Sequence, residues 1–121
     1  MAVRYRTATG NWSNAAQWDG GTLPTAADDC YCNGFTITLD QDVTALSIRN
    51  DSLASPVIAA GGTVSIATLP VGGRTITANL VCNSTTSLLQ LTATANTLNI
   101  IGNGTRGNTG NGGNVLLLSN C

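Results

Sequence analysis

The 121-residue chain has no lysine, no glutamate and no histidine; five arginines and six aspartates make up its entire ionic complement, 9% of the residues. An average soluble domain carries about 25% charged residues. Without His or Lys, a Ser, Thr or Cys nucleophile lacks its usual activating bases. Without Glu, the paired acids of a glycosidase would have to come from Asp alone. All six aspartates (Asp19, Asp28, Asp29, Asp40, Asp42, Asp51) precede residue 52, and beyond them only Arg74 and Arg106 are charged. These absences argue against an enzyme. A net charge of −1 and a pI near 4.8 supply no basic stripe for neutralising phosphates, so no nucleic-acid partner is expected.

Long apolar runs are missing as well. Nowhere do about 20 consecutive apolar residues offer a membrane span. Nor does Met1-Ala-Val-Arg-Tyr-Arg lead into the apolar stretch of a secretory signal. The expectation is a protein with no membrane partner that does not travel by signal-peptide secretion. Four cysteines could form two bridges by count. However, Cys30, Cys32, Cys82 and Cys121 are irregularly spaced and lack the two-residue spacing of a zinc knuckle. They are read as reduced, half-buried thiols, with no metal and no cofactor.

Present in abundance are threonine (18), glycine (14) and asparagine (13). Thr suits the pleat of a strand, while Asn and Gly accept the positive φ of tight turns. From residue 35 onward, period-two apolar segments recur at Phe35–Leu39, Leu46–Ile48, Val57–Ala59, Val64–Ile66, Ile76–Leu80, Leu89–Leu91, Leu98–Ile100 and Val115–Leu118. Turn signals separate them, so each reads as a strand with one wet face. The fold class is all-β. Two architectures fit the spacing: a β-helix or solenoid, and a jelly roll or β-sandwich. Thr and Asn recurring where ladders would stack, together with few two-residue hairpin turns, favour the solenoid.

Residues 1–34 break the rhythm after a short alternation of Val3, Tyr5 and Thr7 against Arg4 and Arg6. This segment reads as an N-terminal arm or cap, and residues 35–121 as the β-rich body. Within the body, residues 102–114 form a Gly/Asn run expected to be an exposed loop. The run lacks the aspartates of a calcium-binding nonapeptide. Asp28-Asp29 and Asp40-Gln41-Asp42 sit where Asp makes Asx turns, and turn chemistry is their expected role. Asn-x-Ser/Thr occurs at Asn11, Asn50, Asn83 and Asn103, as chance allows in so Asn-rich a chain. Trp12 and Trp18 stand out in a chain with 4% aromatics. Burial as an end plug is their first reading, and anchoring of a partner the second.

The run from Gly10 to Asp29 (Gly-Asn-Trp-Ser-Asn-Ala-Ala-Gln-Trp, then Pro24 and Asp28-Asp29), followed by Phe35-Thr-Ile-Thr-Leu-Asp-Gln-Asp-Val-Thr-Ala-Leu-Ser-Ile48, resembles the opening of β-rich repeat proteins encoded by marine and cyanobacterial bacteriophages. That resemblance extends over the stretch 1–50. It implies a non-enzymatic virion structural protein: a capsid decoration (cement) protein on the outer head, or alternatively a tail fibre or spike module that binds a receptor or glycan. It further implies assembly in the host cytoplasm, a homotrimer, and the major capsid protein or another virion protein as partner. On this expectation the docking residues are Arg4, Tyr5, Arg6, Trp12 and Trp18, with the two arginines pairing to acidic groups on the partner.

Overall fold

The structure is a computed structural model that describes residues 2–51, 62–66, 72–82, 88–91, 97–106 and 116–118. Its strands are β1 (Ala2–Tyr5), β2 (Gly10–Asn11), β3 (Asp28–Tyr31), β4 (Thr36–Thr38), β5 (Val43–Arg49), β6 (Thr63–Ile66), β7 (Arg74–Cys82), β8 (Leu89–Leu91), β9 (Leu98–Ile101), β10 (Gly104–Arg106) and β11 (Leu116–Leu118). Two short 3-10 turns, Ala15–Gln17 and Asp19–Gly21, lie between β2 and β3. The all-β class is therefore observed. Each period-two segment predicted within the described residues coincides with a strand, while Val57–Ala59 lies outside them.

The strands form two sheets. The larger runs β1-β3-β5-β7-β10, with β9 also on β7, and the smaller runs β11-β8-β6-β4-β2. The pairings within both sheets are parallel. Most successive strands alternate between the sheets, and parallel neighbours need such a crossover because no tight hairpin can join them. This pairing does not match the antiparallel strands of the jelly-roll alternative. In the smaller sheet Gly10, Ile37, Val64, Leu89 and Leu116 are register partners in turn, so the chain returns to one ladder at nearly even intervals.

Alternation builds the core. In β4 Ile37 points inward while Thr36 and Thr38 face out. Ile37, Val64 and Leu89 form one buried ladder, and Leu39, Ile66 and Leu91 the next. From the larger sheet come the register partners Cys30, Ile48 and Leu80. The two inner faces merge into a single apolar cluster. Complete burial of each aliphatic side chain contributes roughly 1.5–3 kcal/mol, so ladders of branched residues do here what aromatics do in other cores.

Three irregularities shape the larger sheet. Between Thr44 and Ser47 the β5–β7 register slips, a β-bulge beside which Leu46 faces outward. Opposite, β9 and β10 both run along β7 but are interrupted at Gly102-Asn103. Gly102 has φ 147° and passes so close to the Ala78 carbonyl that a Cβ would sit 2.0 Å from its oxygen. Third, β10 lies inside the Gly/Asn run that was expected to be an exposed loop; positions 107–114 of that run are outside the described set. The segment 1–34, expected as an N-terminal arm or cap, is built into the sheets. This segment supplies β1, β2 and β3, which belong to the same two sheets as the body.

Candidate functional site

The residues singled out in the sequence meet at the N-terminal end of the two sheets. Trp12 follows β2, and its N–H donates to the Thr38 carbonyl at 2.8 Å, which continues the β2–β4 pairing and carries its side chain into the apolar cluster. Trp18 packs on it edge to face, ring centroids 4.9 Å apart, and donates its indole N–H to the Trp12 carbonyl at 3.0 Å. They are 2% and 1% exposed. Arg6 is buried as well, at 0%, with its guanidinium 4.9 Å from the Trp18 ring centroid. Its three nitrogens donate to the Ala8 carbonyl (3.2 Å), the Asn11 carbonyl (3.3 Å) and Gln17 Oε1 (2.8 Å). Burial pulls its pKa down from the usual arginine value, while Cys32 and Asp40 push the other way. Arg6, Trp12 and Trp18, named above as docking residues with burial as the first reading of the two tryptophans, all lie in the interior. Side chains this deeply covered present no surface to a partner, and they close the end of the core instead.

Arg4 and Tyr5 seal the edge of β1. The Arg4 guanidinium pairs with Asp19 Oδ1 at 3.0 Å and also donates to the carbonyls of Asp19 and Thr22. The Tyr5 N–H donates to the same carboxylate oxygen at 2.9 Å. Thr7 N–H reaches the Gln17 carbonyl, and Arg6 forms an antiparallel bridge with Trp18. Segment 14–22 thus satisfies edge donors that an end strand would otherwise expose.

Of the remaining aspartates, Asp29, Asp40 and Asp42 join distant segments of the chain, while Asp28 and Asp51 act locally. Asp40, after β4, accepts from Ser13 N–H at 3.1 Å and from its hydroxyl. Asp42, before β5, accepts from Thr75 N–H at 3.0 Å, and Asp29 accepts from the Ser47 hydroxyl at 2.5 Å. Asp28 closes the Thr25 turn through Thr25 N–H at 2.8 Å. Asp51 takes a bidentate pair from Arg49 at 3.1 and 3.0 Å, which raises the Arg49 pKa. Asp28 fulfils the turn role expected from sequence. Asp29, Asp40 and Asp42 do more, because their partners lie on distant segments of the chain.

Cys30, Cys32 and Cys82 are wholly buried rather than half-buried. Burial pushes the Cys32 thiol up to about 12 and raises Cys30 as well. Asn50, also buried, donates its side-chain amide to Cys82 Sγ at 3.4 Å. Among the described residues no cluster of three or more Cys or Asp is placed to hold a metal ion.

What the sequence did not reveal lies on the outer face of the larger sheet. The bulge at Leu46 and the break at Gly102 flank β7 and frame a shallow depression of about 260 Å³. Ala26, Thr44, Leu46, Thr77, Asn79 and Ile101 line it. Leu46 and Ile101 are 37% and 58% exposed there, and Val3 is exposed on β1 of the same sheet. Along the outward row Tyr5-Tyr31-Arg49, set by the registers of β1, β3 and β5, the Arg49 guanidinium lies 4.9 Å from the Tyr31 ring centroid. A bulge leaves no pattern in a single sequence, so nothing signalled this face. Comparison with protein-family models, with curated proteins and with solved structures found no match.

Proposed function

We propose that this chain is a non-enzymatic structural protein of a bacteriophage virion. Its fold is a parallel β-solenoid capped at its N-terminal end, and it acts as a homotrimeric decoration protein on the outer capsid surface. The observation that carries the structural reading is the use made of the carboxylates: each of the six aspartates accepts hydrogen bonds that fix a turn or join strands. An acid needed for proton transfer is held within reach of substrate, and these are spent on the chain's own groups. The solenoid reading is supported by the parallel pairing and by the repeated return to one ladder through Gly10, Ile37, Val64 and Leu89. The virion reading rests on the likeness of residues 10–48 to phage repeat proteins.

With Arg6, Trp12 and Trp18 inside the core, contact with capsid subunits is assigned to the outer face of the larger sheet. There Val3, Leu46 and Ile101 are exposed and Tyr5 is half-buried. Electron cryomicroscopy of capsids lacking the protein, incubated with the purified chain, tests the reading. The expected result is added density at regular positions on the head, lost for Leu46→Asp/Ile101→Asp. Bare heads at saturating protein would overturn it.

A further inference from the structure

We infer that Asn103-Gly104 is a site of spontaneous backbone modification, converting to aspartate and isoaspartate through a cyclic imide. In this reaction the Gly104 backbone nitrogen attacks Asn103 Cγ. The N–Cγ bond forms, the nitrogen gives up its proton, and the side-chain amide leaves as ammonia. Water then opens the ring at either carbonyl. No oxidant or cofactor is required.

Three features of the fold converge on this pair. The Leu80 N–H donates to the Asn103 carbonyl at 2.7 Å while Gly104 is the register partner of Leu80. In a parallel ladder that phase directs the Gly104 N–H away from β7, and β10 is the end strand of its sheet among the described residues. The nucleophile is therefore not engaged in the ladder, and glycine offers no Cβ to obstruct the ring. Second, Asn103 is exposed, so water reaches the imide. Third, Asn103 lies between β9 and β10, in neither strand. Its backbone is held on the β7 side, by Asn79 Oδ1 at 3.1 Å and by Leu80.

Asn33-Gly34 is the internal control. It has the same dipeptide chemistry, but Asn33 is 7% exposed and lies in a left-handed turn at φ 55°, closed by the Phe35 N–H to Cys32 carbonyl bond. Reaction there requires local opening first, which lowers the rate in proportion to the open population.

The consequence is electrostatic and geometric. One carboxylate appears in the part of the chain after Asp51, which has none, and the net charge falls below −1. An isoaspartate also lengthens the backbone where β10 begins.

The test is to incubate the folded protein at mildly alkaline pH and follow it by isoelectric focusing and peptide mapping. Cleavage at Arg74 and Arg106 isolates the segment containing Asn103. Amide-to-acid conversion is expected at Asn103 at a rate about tenfold or more above that at Asn33, and Asn103→Gln should abolish it. In denaturant the two sites should converge. An unmodified Asn103 in protein aged until Asn33 reacts, or equal rates in the folded state, would overturn the assignment.

Discussion

At the residue scale, the end of the core depends on an arginine used as a hydrophobic-core residue. Arg6 shares its three nitrogens among two carbonyls and Gln17 and lies against Trp18. Only the guanidinium fork reaches all three acceptors, so Arg6→Lys should lose at least one of these bonds and cost about 1–3 kcal/mol. Chemical denaturation measures this directly, and an unchanged midpoint would contradict it. Trp18→Ala, which removes both the ring contact and an indole hydrogen bond, should cost about 3–5 kcal/mol. The buried thiols make a prediction about pH. Cys32 is raised from an ordinary value of 9.0 to about 12, so above pH 9 the unfolded chain loses a proton that the folded chain keeps. The thiol's contribution is therefore complete below about 9 and declines as pH rises towards 12. Cys30, shifted in the same direction, adds to the decline. Cys32→Ala should flatten the alkaline slope of stability. The Trp burial was legible in the sequence, because a chain so poor in aromatics needs large side chains inside. Arg6 was not: Val3 and Tyr5 alternate with Arg4 and Arg6, and the apolar set looks like the inward one. The end of the sheet inverts that pattern, leaving Val3 exposed and Arg6 covered.

At the element scale, strand positions followed from alternation, since a strand with one buried face must alternate. Strand direction did not, because period two is the same in parallel and antiparallel sheets. The cap is the element that protects the structure. Asp19 supplies the acceptor for the Tyr5 N–H and for Arg4. Asp19→Ala should expose the β1 edge, destabilise by about 1–3 kcal/mol and promote concentration-dependent self-association, seen by sedimentation velocity. An aggregation profile identical to the parent's would show that segment 14–22 is not the barrier. At the other side of the larger sheet, Gly102→Ala has no space beside the Ala78 carbonyl. It should loosen β10 from β7 and speed amide exchange at Leu80, whose N–H bonds to Asn103.

At the scale of the whole molecule, the repeat is one of position rather than of residue identity, which explains why it was illegible. Partners in the smaller sheet are Gly10 and then Ile37, Val64 and Leu89, the last three alike in being buried aliphatics but with no residue repeated along the ladder. In the larger sheet the intervals are uneven: Asp29 pairs with the nearby Ser47, whereas Thr44 pairs with the much more distant Thr77, so no fixed period could be read. The carboxylates stitch the half of the molecule where they are concentrated, and the end they protect is the capped one. The central proposal is that this chain acts as a trimer on the phage head. The most direct measurement is the mass of the purified chain by light scattering, alone and mixed with expanded capsids that lack it. The account predicts three times the 12.3 kDa chain mass in isolation and saturable uptake by the capsids. A monomer that leaves the capsid mass unchanged would contradict it.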